Sequence, residues 1–153
     1  MKLFKYISIF LVINFVALAI GTWLMNDGPK TDWYQNLNKA PWTPAGWVFG
    51  VAWTSIMICF SVYMAYLYKV TPSKKILTLF SIQFVFNVIW NYVFFNQHLI
   101  GLGLLVILIL TIIVATFIFL FKNTLKTKSI LILPYFLWLC IATSLNAYIL
   151  IYN

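Results

Sequence analysis

The sequence predicts an all-α membrane protein, a single five-helix transmembrane bundle over residues 1–153, and three observations carry that prediction. Of the 153 residues, 64% are hydrophobic and 8% charged, with a mean hydropathy of +0.99, against about 25% charged in soluble domains. Five stretches, residues 3–24, 46–68, 76–95, 99–121 and 130–152, are each long enough to cross ~30 Å of hydrocarbon at ~20 residues per helix. All ten basic residues are lysines. Lys2, Lys5, Lys69, Lys74, Lys75, Lys122, Lys126 and Lys128 fall on one side of such a topology, and Lys30 and Lys39 lie on the other beside Asp27 and Asp32. This bias places the N-terminus in the cytoplasm, and the loop 25–45 and the C-terminus outside a bacterial cell membrane. The net charge of +8 is therefore topogenic, the expected partner is the lipid bilayer, and a nucleic-acid site is excluded.

The first span imitates a secretory signal, with Lys2, Lys5, an apolar core and Ala17-Leu18-Ala19. It is longer than a signal's apolar region and carries Asn14, which favours a retained helix whose amide finds a partner in the bundle. Ala17 and Gly21, four apart, suit close helix approach.

The loop 25–45 is the one long connection. It begins with the turn-forming Asn26-Asp27-Gly28-Pro29. The stretch from Trp33 to Trp53 then gathers four of the seven tryptophans and two of the five prolines. Pro41 and Pro44 lack backbone donors and force their predecessors out of helical geometry, so this is an ordered loop running into a helix, the natural roof of a cavity. For each tryptophan, an interfacial belt and a ligand-binding wall are equally good readings.

In the second span Gly46-Trp47-Val48-Phe49-Gly50 has the GxxxG pattern of close approach. Trp47 sits at headgroup level, whereas Trp53 lies deeper and is expected to face inward. The third span carries Gln83, Asn87 and Asn91 on one stripe with Trp90 beside it; amides facing lipid are costly, so the stripe faces the bundle interior. The fourth, almost entirely Leu, Ile and Val, is expected to face lipid or a second subunit. In the fifth, Pro134 occupies the first turns, and Tyr135, Trp138, Ala142, Leu145 and Asn146 share a face on which Ala142 leaves room for something flat. Cys59 and Cys140, mid-span in apolar surroundings, read as inert buried thiols. His98, alone in a short turn, reads as a surface residue and not as a haem ligand. With no carboxylate pair, no metal-spaced cluster and no nucleophile–base set, hydrolytic and metal catalysis are disfavoured.

The pattern Trp33-Tyr34-x2-Leu37-x-Lys39-x2-Trp42-x-Pro44-x2-Trp47-x5-Trp53 resembles the opening signature of the TspO/MBR family of tryptophan-rich sensory and translocator proteins. Gln83-x3-Asn87-x2-Trp90-x3-Phe94-Phe95 with Gly101, and Pro134-Tyr135-x2-Trp138-x6-Leu145-Asn146, resemble its later segments. The resemblance implies a five-helix membrane protein, commonly a homodimer, that binds tetrapyrroles such as protoporphyrin IX and haem as ligands and requires no cofactor. Carried to matching positions, it implies a pocket of Tyr34, Trp42, Trp47, Trp53, Asn87, Trp90, Trp138, Ala142 and Leu145. Ala40 and Ala45 stand where many members have proline, and Val106 where an acidic residue is common. Tyr148 is not followed by the basic residue of the sterol-associated segment of animal members, so sterol binding is not inferred.

A porphyrin is a flat apolar ring with two carboxylates, and it wants aromatic walls, oriented amides and a cation at the mouth. Trp53 and Trp138 would supply walls, Asn87 an amide and Lys39 the cation. The leading expectation is a tetrapyrrole-binding membrane sensor or carrier. One alternative is an enzyme degrading porphyrin in light, with Trp53 and Trp138 as its catalytic residues. A transporter is the third, and it lacks the midplane ionisable residues such proteins use.

Overall fold

A computed structural model describes Lys2–Asn153. The long helices are α1 (Lys2–Met25), α3 (Gly46–Val70), α4 (Lys74–Asn91), α5 (Ile100–Leu125) and α6 (Leu133–Tyr152), and a short α2 (Asp32–Asn36) lies within the loop after α1. Four helical runs are long and apolar enough to cross a membrane: Lys2–Met25, Gly46–Val70, Lys74–Asn96 and Ile100–Tyr152. The last spans 53 residues but is two helices. The backbone breaks at Lys126, where φ is 49°, and continues as a 3-10 segment, Lys126–Ile132, before α6. Thr111 Oγ1 and Thr143 Oγ1, 3.3 Å apart, bring α5 and α6 together as a hairpin. The bundle thus has the five spanning helices expected.

Local chemistry sets the helix ends. Ser73 caps α4 by accepting from the Ile76 amide at 3.3 Å, and Thr31 caps α2 by accepting from the Tyr34 amide at 3.4 Å. Pro134 sits in the first turn of α6, where its missing donor costs nothing. The predicted third span, 76–95, starts two residues earlier and ends differently: after Asn91 the chain widens into a π-helical turn, Tyr92–Asn96.

Helix α1 packs on α3 and α4, α4 on α5, and α5 on α6, which returns to α3. Asn14 of α1 donates to Ser61 Oγ at 2.8 Å, the bundle partner its burial in lipid demanded. Gly21 lets α1 press on α4, where an added Cβ would meet Asn91 Nδ2 at 2.8 Å. Gly46 and Gly50 make no such approach, because nothing lies within 4 Å of a Cβ built on either; the close contact expected of that GxxxG pattern is not made within the chain. Helix α5 is not wholly lipid-facing. Val106, Ile107, Leu110, Val114 and Phe117 are buried on one side, and Leu105, Ile112 and Phe119 are exposed on the other. The thiols are not both buried as expected: Cys59 is partly buried, but Cys140 lies on the outward face of its helix and is exposed on the bundle surface.

Candidate functional site

Towards the lysine-rich ends of the helices the core is solid, and towards the loop it is hollow. A cavity of about 290 Å³ lies under the loop between α3, α4 and α6, near the lower edge of the ~300–1,000 Å³ usual for small-molecule sites. Helix α3 contributes Phe49 and Trp53, one turn apart. Trp90 and Asn91 come from α4, Phe94 and Phe95 from the π-helical turn, and Trp138, Ala142, Leu145 and Asn146 from one stripe of α6. The stripes predicted on α4 and α6 do converge, with their amides Asn91 and Asn146 at the cavity and Asn87 outside it.

Of the residues expected at a pocket, the cavity gathers Tyr34, Trp53, Trp90, Trp138, Ala142 and Leu145. Trp42 stands outside it: its ring is half exposed, donates from Nε1 to Ser144 Oγ at 3.2 Å and packs edge-on to Tyr148, tying the loop to α6. Trp47 is 72% exposed and lines no cavity, as a belt residue at the first turn of α3 would. Asn87 is buried but lines an adjoining cleft, not this cavity. His98 is stacked on Trp33 at 4.0 Å between ring centroids, away from the cavity.

Sequence reasoning passed over Phe49, Phe95 and Asn91 as site residues. Phe49 precedes Trp53 by four and Asn91 follows Asn87 by four, so helical spacing alone would have found both. Phe95 is placed by the π-helical turn, a distortion that recurs at functional sites and has no residue signature. Gly28 is needed beneath it, since a side chain there would run into Phe95 Cβ.

The roof is the loop, through Met25, Pro29, Tyr34, Gln35, Lys39, Thr43 and Pro44. Lys39 Nζ donates to the Tyr34 and Gln35 carbonyls at 3.0 and 2.9 Å, closing the C-terminal end of α2 and complementing its dipole. An ammonium has three protons, so one is left for a ligand at the rim. Burial pushes the Tyr34 phenol above its ordinary range, leaving it a neutral donor at physiological pH.

Polar atoms in the walls are incompletely paired. Trp90 Nε1, Trp138 Nε1 and Asn146 Oδ1 are buried with no partner among the described residues, whereas Asn146 Nδ2 donates to the Ala142 carbonyl at 2.9 Å. Each such group costs roughly 1–3 kcal/mol relative to a paired one. The residues lining one aromatic cavity thus carry two indole donors and one amide acceptor that are buried within the wall and unpaired. No group of three or more His, Cys, Asp or Glu able to hold a metal occurs among the described residues.

A profile of the TspO/MBR family matches residues 9–152. The "Tryptophan-rich sensory protein" of Cereibacter sphaeroides is 33% identical over 115 residues, 75% of this chain and 73% of that protein. The "Tryptophan-rich protein TspO" of Archaeoglobus fulgidus is 28% identical over 156 aligned positions, covering 100% of this chain and 99% of its own. A protein of the same description from Bacillus cereus is 32% identical over 74% of this chain and 76% of that one.

Proposed function

The chain belongs to the TspO/MBR family, and from that premise we propose that it is a membrane sensor or carrier whose ligand is a flat tetrapyrrole such as protoporphyrin IX or haem. The observation that carries this reading is the aromatic cavity with unpaired polar atoms in its walls. Such a lining offers stacking surface worth about 0.5–1.5 kcal/mol per ring pair beyond area burial. The remaining Lys39 proton suits a propionate at the rim. The name of one relative, "Tryptophan-rich sensory protein", agrees with a site that binds a ligand.

On this reading the eight-lysine end faces the cytoplasm and the loop faces outward. Cysteine-accessibility labelling that reached the loop only from the cytoplasmic side would overturn that orientation.

Titration of the purified protein with protoporphyrin IX, followed by tryptophan fluorescence, tests the ligand. Saturable quenching is expected, and it should be lost in Ala142→Leu, which fills the cavity without removing an aromatic ring. Linear, unsaturable quenching, or quenching indifferent to Ala142→Leu, would sink the proposal. Illuminating the same complex separates binding from chemistry, because loss of porphyrin absorbance that requires both light and Trp138 would identify an enzyme.

A further inference from the structure

Beside the cavity a second depression, of about 450 Å³, opens between α1 and α3. Its rim residues Phe15, Ala19, Thr22, Gly50 and Thr54 are exposed, and its floor holds Ala17, 2% exposed, and Asn87, 5% exposed. These residues lie in the loop-side halves of their helices. In a chain that spans the bilayer, this cleft faces acyl chains.

The cleft exists because α1 is held at three points along its length but not here. At the lysine end it touches α3 through Tyr6 and Tyr68, edge to face at 5.3 Å, and midway through the Asn14–Ser61 hydrogen bond. Above that point it closes on α4 at Gly21, while Gly50 on α3 faces open space.

Two observations make the cleft more than a gap. Met25, Phe49, Trp53 and Asn91 line both it and the cavity, so the partition is one layer of side chains. The Asn87 side-chain amide, nine-tenths buried, makes no hydrogen bond among the described residues; the Asn91 Nδ2 bond at 3.2 Å goes to its backbone carbonyl instead. An unpaired amide at membrane depth is expensive, and the cleft is where it can be satisfied. Above the cavity the loop is pinned to the end of α6 by exposed hydrogen bonds. Asn38 donates from its backbone to Asn153 Oδ1 at 2.9 Å and from Nδ2 to the Tyr152 carbonyl at 3.0 Å, and Trp42 is fastened to Ser144.

We infer that the α1/α3 cleft is the doorway of the site: a flat apolar ligand dissolved in the bilayer enters sideways, presents one hydrogen-bonding group to Asn87, and passes Phe49 and Trp53 into the cavity. The inference rests on reading that cavity as a ligand site, and its test has one arm that does not.

The independent arm uses vesicles of phosphatidylcholine brominated in mid-chain, which quench tryptophans in contact with acyl chains. The Trp53 contribution is the difference between the parent and Trp53→Phe; it should be quenched in the parent and protected in Gly50→Leu or Ala19→Leu, which fill opposite rims. The second arm follows exchange of protoporphyrin IX between vesicles and protein. Gly50→Leu should slow association and release alike, by about tenfold, and leave Kd within about twofold. Asn38→Ala should leave both rates unchanged. A parent Trp53 shielded from brominated chains, as a second copy seated on the cleft would make it, overturns the inference. So do unaltered rates in both rim variants, or faster exchange on loosening the loop with Asn38→Ala. If the parent binds no porphyrin, the proposed ligand fails and the bromine arm alone decides the doorway.

Discussion

The two halves of the bundle use the same aromatic residues to opposite ends. In the lysine-side half, Phe60 packs on Tyr63, Phe117 and Tyr135 at 6.2, 5.9 and 5.2 Å between ring centroids, and all four are fully buried. Both hydroxyls are engaged there, since Tyr63 Oη donates to the Phe117 carbonyl at 3.2 Å and Tyr135 Oη accepts from Gln83 Nε2 at 2.6 Å; Gln83 Oε1 is the one buried side-chain polar atom of this half left unpaired among the described residues. In the loop-side half, Trp53, Trp90 and Trp138 stand around a void, and none of the three indole N–H groups has a partner among the described residues. Helices in lipid gain little from apolar transfer and are held by packing and hydrogen bonds. The solid half therefore carries the stability, and the hollow half forgoes it where a ligand can restore it.

The largest expected effect comes from hollowing the solid half. Phe60→Ala leaves a cavity of roughly 100 Å³, which at about 24 cal/mol per Å³ costs about 2.4 kcal/mol, with no transfer term added because the surroundings are apolar either way. Thermal unfolding in mild detergent should show a clear drop in Tm, while the protein that remains folded keeps its affinity for protoporphyrin IX. A variant that loses affinity without losing stability would break the comparison at its root. The converse change, Ala142→Leu, fills the hollow half. It should leave Tm unchanged or slightly raised and cut porphyrin affinity by more than about tenfold, an effect above ~1.4 kcal/mol.

How much of this division was legible differs between the halves. The five helices, the inward stripes and the need of Asn14 for a partner follow from spacing and from the cost of amides in lipid, which are local matters. Trp53, Trp138, Ala142 and Leu145 are where the stripes put them, at one cavity. Trp42 and Trp47 share the loop's composition but not its interior. One turn of helix decides which side of α3 a ring takes, and Ser144 holds Trp42 outside. The placing of Asn87 in a neighbouring cleft depends on where α1 leaves α3, a tertiary matter that no window of sequence contains. The π-helical turn that brings Phe94 and Phe95 to the cavity is equally unmarked, although Phe95 packs on Gly28 and Phe94 on Gly103, where only a glycine leaves room.

A smaller effect sharpens the boundary between wall and core. Trp138 touches both: it lines the cavity beside Phe49, edge-on at 5.4 Å, and at 8% exposure it belongs to the buried cluster that contains Phe60 and Tyr135. Trp138→Phe keeps most of the ring and removes a donor that has no protein partner, so its stability cost should stay below about 1.5 kcal/mol. Its effect on porphyrin should be a loss of about three- to tenfold, as expected for one hydrogen bond of about 0.5–1.5 kcal/mol. A Tm loss as large as that of Phe60→Ala, with affinity intact, would move Trp138 into the structural half.

The smallest effect concerns the roof. Asn38 and Asn153 grip each other across the mouth: the Asn38 amide and side chain reach the end of α6, and Asn153 Nδ2 returns to the Asn38 carbonyl at 3.3 Å and to that of Ile149 at 2.9 Å. These bonds are exposed, so water replaces them readily. Asn38→Ala removes one side-chain bond of about 0.5–1.5 kcal/mol before that compensation. Global Tm should therefore shift little, because the loop can open without unfolding the helices beneath it. Local opening should be visible instead, as several-fold faster hydrogen exchange at the amides of Asn38 and Thr43, the latter donating to the Ala40 carbonyl at 2.9 Å. Exchange at Val114 and Leu139, deep in the bundle, should not change. If exchange rises across both halves together, the roof is part of the load on which the solid half depends, and the two halves are one cooperative unit despite their different packing.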